Sequence, residues 1–127
     1  MATAREHYDE LLADLYSWML GEFDARVDAQ LAWLRGIVEG AGERSAARAR
    51  ALDLGAGSGA EAIALARLGY RVVAVDVSPT LVAEMRSRVD EAELGRDVDV
   101  VESDLVAFLE RRDAERERER ETRRLPR

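Results

Sequence analysis

The sequence has 127 residues, of which 47% are apolar, so it can form one small domain with a real hydrophobic core. It contains no cysteine and a single histidine, which excludes disulfide bonds, thiolate metal sites and a cysteine nucleophile. Its net charge of −7 argues against nucleic-acid binding, since that function needs basic faces, and favours a small-molecule ligand.

Residues 1–44 have the pattern of a helical lead-in. Apolar residues recur at helical spacing over residues 4–20, with Asp9, Glu10 and Asp14 turned outward. Gly21 interrupts this pattern and Asp24 can cap a second helix. Small residues between 39 and 50 then indicate a linker. Two amphipathic helices are therefore predicted before the sheet begins.

The segment from Ala51 to Gly59 is the strongest local signal in the sequence. A short apolar strand leads into a loop with glycine at every second position, and residues 60–66 then read as helix. Glycine suits such a loop because the turn visits backbone angles that side chains disfavour, and because a ligand can approach the main chain closely. The helix N-terminus adds free N–H groups and the positive end of its dipole. The segment predicts a site for a polar or anionic small molecule.

Two further strands follow at regular intervals. Residues 71–75 form a buried strand ending at Asp76, and the Ser78-Pro79 pair starts a helix, because serine caps free N–H groups and proline suits the first turn. Residues 97–101 alternate polar and apolar, as in a strand near a sheet edge, and lead to Asp104. Strands alternating with helices predict an α/β fold with a parallel, doubly wound sheet.

The last segment, residues 111–127, has a different character. Glutamate and arginine alternate through it and it contains almost nothing apolar. Residues four apart carry like charges, so a helix is weakly supported. We predict a solvated extension after a sheet-forming unit of residues 45–110, with a partner-binding helix as the alternative.

The glycine segment, with an acidic residue ending each of the next two strands, resembles the class I S-adenosylmethionine-dependent methyltransferases over residues 5–105. The resemblance implies a Rossmann-like fold and S-adenosylmethionine as cofactor. In that family the glycine loop lies under the methionine part of the cofactor, the second-strand acid binds the ribose hydroxyls, and the third-strand acid meets the adenine amino group. The implied cofactor-binding residues are Asp53, Gly55, Ala56, Gly57, Gly59, Asp76, Val77, Ser103, Asp104 and Leu105.

The lead-in more loosely resembles the glycine N-methyltransferase branch of that family. By this resemblance Arg26 would clamp the cofactor carboxylate, a task that suits its planar fork, and Tyr8 would be a lid residue that also contacts the cofactor. Methyl transfer asks mainly for alignment of a nucleophile with an already activated methyl group. No catalytic side chain need therefore be visible, and the implied acceptor is a small molecule such as an amine.

The resemblance covers only the N-terminal half of the family's fold, with about three strands. In the whole fold the first strand is central, whereas here it would have an exposed edge. An uncovered apolar edge pairs readily with other chains. We therefore expect a second copy or a complementary chain to cover it. The absence of a long apolar run and of a signal-peptide pattern predicts a cytoplasmic protein without membrane contact.

Two alternatives remain at this point. Gly55, Gly57 and Ala60, followed by Asp76 about 20 residues on, also satisfy a permissive NAD- or FAD-binding fingerprint. The third glycine and the helical lead-in favour the methyltransferase. The other alternative is a non-catalytic protein that keeps the fold for binding or assembly.

Overall fold

The computed structural model describes residues 3–11, 15, 21–40 and 49–126. Its elements are α1 (Ala4–Leu11), α2 (Phe23–Gly40), β1 (Arg50–Leu54), α3 (Ala60–Arg67), β2 (Arg71–Asp76), α4 (Pro79–Glu91), β3 (Val98–Glu102) and α5 (Leu105–Arg124). The strands form one parallel sheet in the order β1-β2-β3. The predicted α/β class, with three strands of a Rossmann-like sheet, is confirmed.

The hydrophobic core lies on one face of the sheet. Helices α3 and α4 cover this face, and α2 packs on the outside of α3. Because α3 is rich in alanine, its backbone can approach the strands closely. The fully buried core side chains include Val27, Ile63, Val72, Ala74 and Met85. This packing brings α2 and the N-terminus of α3 together at the carboxyl end of β1.

The other face of the sheet is largely open. Leu52 and Leu54 of β1 are 38% and 40% exposed. A groove of about 570 Å³ lies between β1, β2 and α5, with Leu52, Val73 and Leu109 among its lining residues. Among the described residues, no strand pairs with the outer edge of β1. The described part of the chain thus has the exposed first-strand edge that the sequence predicted.

Helix α5 is where the structure departs most from the sequence-based expectation. The backbone after residue 111 is helical as far as Arg124, so the prediction of an extension was right about exposure and wrong about conformation. Asp104 caps the helix by accepting a hydrogen bond from Ala107 N–H at 3.0 Å, and Phe108 is buried. Glutamate, arginine and alanine then sustain it by their intrinsic propensity. The division suggested between residues 110 and 111 falls inside this helix.

Several predictions concern residues that lie outside the described part of the chain. These are the linker between 41 and 48 and most of the second half of the helix predicted over 4–20, including Asp14. Among the helices that the structure describes, none is both long and apolar enough to cross a bilayer.

Candidate functional site

The glycine loop, residues 55–59, connects β1 to α3 at the carboxyl edge of the sheet. The N–H groups of Gly55 and Ala56 donate to the carbonyl oxygen of Val75 at 2.8 and 3.0 Å, which holds the loop against β2. Gly59 has a φ of +98°, and a Cβ there would lie 2.7 Å from Cγ of Met85. Glycine is therefore required at this position by both conformation and space. No side chain caps α3, so its first-turn N–H groups are available to a ligand.

Asp76 ends β2 and organises the loop through its carboxylate. It is only 8% exposed. Gly57 N–H donates to its Oδ2 and Ser78 N–H to its Oδ1, both at 2.9 Å. Since each carboxylate oxygen carries two lone pairs, each can accept one further hydrogen bond. Asp76 and the glycine loop therefore come together as the sequence predicted, with half-buried Val77 directly after them.

Asp53 lies two residues before the loop, and its carboxylate lacks a full set of hydrogen-bond partners. Its Oδ2 is buried and has no hydrogen-bond partner. Burial, and to a smaller extent the nearby carboxylates of Glu61 and Asp76, together raise the pKa of Asp53 from 3.8 to about 6. A carboxylate in such a position gains most from a ligand that brings a positive charge or a proton donor.

Arg26 reaches the glycine loop from α2. Its Nη2 donates to Ser58 Oγ at 2.7 Å, and its Nε is buried without a partner. Its guanidinium carbon lies 5.3 Å from the centre of the Phe23 ring, a distance at which a cation–π contact helps to hold the side chain. Ser58 is 2% exposed and was not among the predicted site residues, although its place between two glycines of the loop was a signal for it.

The end of β3 completes the carboxyl edge of the sheet. Ser103 N–H donates to the carbonyl oxygen of Asp76 at 3.0 Å, so the ends of β2 and β3 are tied together. Asp104 is exposed and uses Oδ1 to cap α5, which leaves Oδ2 for a ligand, and Leu105 begins the helix. Arg111 Nη2 donates to Ser103 Oγ at 2.9 Å. No sequence pattern pointed to Arg111, because its contact with Ser103 depends on how α5 packs.

Helix α1 is attached to the end of β3 and to the start of α4. Arg5 Nη2 donates to Glu102 Oε2 at 2.8 Å, and the Asp9 carboxylate accepts hydrogen bonds from Ser78 and Thr80. The prediction that Asp9 turns to solvent was wrong, since α1 presents this side chain to α4. The side chain of Tyr8 lies outside the described residues.

The site therefore combines a cation and several carboxylates around an uncapped helix N-terminus. Arg26 offers positive charge, whereas Asp53, Glu61 and Asp76 offer negative charge. Such an arrangement fits a zwitterionic ligand that also carries hydroxyl groups. Within the described residues, no three acidic or histidine side chains are grouped to hold a metal ion.

Comparison with known proteins gives both a family and a fold. A family model described as "Methyltransferase domain" matches residues 51–116, just over half of the chain. A proposed S-adenosyl-L-methionine-dependent methyltransferase from Methanococcus maripaludis has a similar structure, with a TM-score of 0.63 and 21% identity. The match covers 82% of this chain and 46% of that protein.

A second solved structure shares the fold over a shorter stretch. It is a proposed sarcosine dimethylglycine methyltransferase from Galdieria sulphuraria, with a TM-score of 0.52 and 22% identity, and the match covers 60% of this chain and 29% of that protein. The chain thus spans less than half the length of either protein. No match was found among curated proteins.

Proposed function

The chain belongs to the methyltransferase domain family, and from this premise we propose that it binds S-adenosylmethionine and takes part in methyl transfer to a small-molecule acceptor. The observation that carries the proposal is a pair of buried, unpartnered polar atoms next to the glycine loop, Asp53 Oδ2 and Arg26 Nε. One needs a positive partner and the other an acceptor. An amino-acid group supplies both.

The methionine part of the cofactor fits the residues around the loop. Arg26 would bind the carboxylate through its planar fork, for which its free Nε and its position beside Ser58 are suited. Asp53 would accept from the ammonium group, which would supply the missing partner of Oδ2. Gly55 and Ala56 would lie beneath this part of the ligand, where the absence of bulky side chains permits close approach.

The nucleoside part fits the ends of β2 and β3. Asp76 has one unused lone pair on each carboxylate oxygen and could accept from two ribose hydroxyls at once. Asp104 could accept from the adenine amino group through Oδ2, while the first-turn N–H of Leu105 could donate to a ring nitrogen. Val77 and Ser103 would line the site on either side of this edge.

When bound, S-adenosylmethionine supplies a methyl group that its sulfonium has already activated. The residues of this chain would bind the cofactor, orient it and exclude water, without a proton transfer of their own. The Galdieria protein is named for sarcosine and dimethylglycine, and a small amine is the acceptor class we propose here. Tyr8 is proposed as a lid residue of the cofactor site, on the resemblance of the lead-in alone.

We propose further that a second copy of this chain or a complementary chain covers the open edge of β1. Leu52 and Leu54 are exposed there, and an edge strand with an apolar face favours pairing with another strand. The Methanococcus protein matches this chain over only 46% of its own length, so that protein has additional structure beyond the shared part. The proposed cover is a strand that pairs with β1, accompanied by a helix over the groove.

The test of the proposed function is isothermal titration of the purified chain with S-adenosylhomocysteine, adenosine and NAD. We expect S-adenosylhomocysteine to bind at least 10-fold more tightly than adenosine, because only the former engages Arg26 and Asp53. NAD should not bind. Asp53→Asn should reduce this preference without abolishing it, because Arg26 remains, and Asp24→Asn, an exposed acid of α2, should keep it in full.

Asp76→Ala is a poor choice for this experiment. The Asp76 carboxylate accepts from Gly57 and Ser78 N–H groups, so its removal would disturb the loop as well as the ligand contact. Equal affinity for adenosine and S-adenosylhomocysteine in the wild-type chain would contradict the proposed recognition of the amino-acid group. Absence of binding by either nucleoside would overturn the proposed function.

A further inference from the structure

We infer that Asp9 is a positioning residue of the cofactor site, which fastens α1 to the start of α4 and couples the placement of α1 to Asp76. This inference rests on the proposed function for its ligand. It concerns how the site is held together, and it assigns a role to a residue that lies far from the glycine loop in sequence.

Both carboxylate oxygens of Asp9 accept hydrogen bonds from the start of α4. Its Oδ1 accepts from Ser78 Oγ and from Thr80 N–H, the latter at 2.9 Å, and its Oδ2 accepts from Thr80 Oγ1 at 2.8 Å. These hydrogen bonds, that from Ser78 first, lower the pKa of Asp9 below its ordinary value. The carboxylate is therefore ionised at neutral pH and accepts at both oxygens.

Ser78 links Asp9 to the proposed ribose site. Its N–H donates to Asp76 Oδ1 at 2.9 Å, and its Oγ accepts from Leu81 N–H at 3.2 Å as the cap of α4. Because the Asp9 carboxylate can only accept, the one hydroxyl proton of Ser78 is directed to Asp9 Oδ1. Asp76 in turn accepts from Gly57 N–H. A continuous series of hydrogen bonds thus runs from α1 to the glycine loop.

A second contact holds α1 at the end of β3. Arg5 precedes Asp9 by one helical turn and pairs with Glu102 at 2.8 Å. Both side chains of this pair are more than a third exposed, so the pair is screened by solvent and contributes little. Among the described side chains of α1, Asp9, which binds backbone and side chains together, is therefore the main attachment.

The consequence concerns ligand release. With α1 fastened, it is held at Ser78, two residues after Asp76, and at Glu102, next to Ser103. A ligand bound at Asp76 also holds that carboxylate in the position that Ser78 and Asp9 require. Docking of α1 and ligand binding should therefore strengthen each other, as linkage demands.

The experiment compares hydrogen exchange and S-adenosylhomocysteine binding in the wild-type chain, Asp9→Asn and Glu10→Gln. Glu10→Gln is the matched control, because it removes a charge from the neighbouring, exposed position of α1. In the free protein, Asp9→Asn should speed exchange at residues 3–11 and at the start of α4. It should also weaken S-adenosylhomocysteine binding about 5- to 10-fold, mainly through faster dissociation, which corresponds to about 1–1.4 kcal/mol.

Thr80→Val provides a second, milder variant. It removes only the hydroxyl contact to Asp9 Oδ2 and leaves the Ser78 cap in place, so both effects should be intermediate. A urea midpoint for each variant shows that the chain remains folded.

Three outcomes would overturn the inference. Unchanged protection of residues 3–11 in Asp9→Asn would show that Asp9 does not hold α1. Faster exchange with an unchanged dissociation constant would show that α1 has no influence on the ligand site. A wild-type chain that retains the expected exchange pattern but binds no S-adenosylhomocysteine would overturn the proposed function, and the cofactor role of Asp9 with it.

Discussion

At the scale of single residues, Asp53 is where stability and ligand binding make opposite demands. Its carboxylate is half-buried beside Glu61 and Asp76, and one oxygen lacks a partner. Such a group weakens the free protein and becomes useful only when a cation is bound. A residue that lowers the stability of the free protein in this way is expected to serve ligand binding, because it contributes nothing favourable to folding.

Replacing Asp53 with asparagine should therefore stabilise the free protein near pH 7.5. The pKa of Asp53 is about 6 in the folded protein and 3.8 in its ordinary, solvated state, so the folded state holds the proton more tightly. The cost of the ionised group is present in full above pH 6, shrinks as pH falls through 6, and vanishes below 3.8. We expect a gain of about 2 kcal/mol, allowing for partial exposure.

The measurement is urea denaturation of Asp53→Asn and the wild-type chain at several pH values from 4 to 8. The difference between the two should be largest at the alkaline end and close to zero at the acidic end. A constant difference across this range would show that the carboxylate does not titrate as described.

Arg26→Lys should weaken S-adenosylhomocysteine binding about 10-fold or more, because an ammonium cannot replace a planar, two-point contact. Adenosine binding should be unaffected, since adenosine has no carboxylate. Arg35→Lys, an exposed arginine of the same helix, is the control. Equal loss for both ligands in the titration would indicate damage to the glycine loop through Ser58 instead.

Gly59→Ala and Gly36→Ala should change stability in opposite directions. Gly59 has a positive φ and no room for a Cβ beside Met85, so we expect a loss of about 2–3 kcal/mol. Gly36 lies inside α2 with nothing within 4 Å, so alanine there should stabilise by about 0.5–1 kcal/mol. The change in stability of each variant is measured from its urea denaturation midpoint. A neutral Gly59→Ala would show that the loop can rearrange.

At the scale of elements, the helices that follow the three strands differ in how their N-termini are capped. Ser78 caps α4 and Asp104 caps α5, whereas α3 begins at Gly59 without a side-chain cap. The helix that faces the proposed cofactor thus keeps its N–H groups available. Helix α5 differs along its length: the buried Phe108 anchors its first turns, whereas its distal half is exposed.

The distal half of α5 should accordingly be dispensable for stability. Glu119→Pro should unwind the end of the helix, because proline removes a hydrogen bond and clashes with the preceding turn. Ellipticity at 222 nm should fall while the urea midpoint stays within about 0.5 kcal/mol of the wild-type value. Glu119→Ala controls for loss of the charge. A clear drop in the midpoint would mean that this half packs against part of the chain.

At the scale of the whole molecule, the sheet has one covered face and one open face. The core behind β2 is well buried, whereas β1 presents apolar side chains and an edge that no described strand pairs with. The proposed cofactor site lies at the carboxyl end of β1. A chain that pairs with the free side of β1 would therefore also bound this site on one side.

Without its proposed cover, the isolated chain should associate through this face as concentration rises. Leu52→Asp should reduce the association, because it places a charge on the open face of β1. Leu125→Asp removes a leucine that is 69% exposed near the end of the chain, and it should change nothing. Sedimentation velocity over a range of concentrations measures this, and a chain that stays monomeric throughout would contradict the need for a cover.

The sequence by itself determined the strand–loop–helix unit, the alternation of strands and helices along the chain and the approach of Asp76 to the glycine loop. These follow from local periodicity, glycine spacing and the rule that parallel strands end at one edge. Tertiary structure decided which polar side chains meet across helices. Arg26 could have been solvated and Asp9 was expected to be, yet packing of α2 on α3 and of α1 on α4 brought both to polar partners. Periodicity reports which face of a helix is apolar, but only packing fixes what lies opposite its boundary residues.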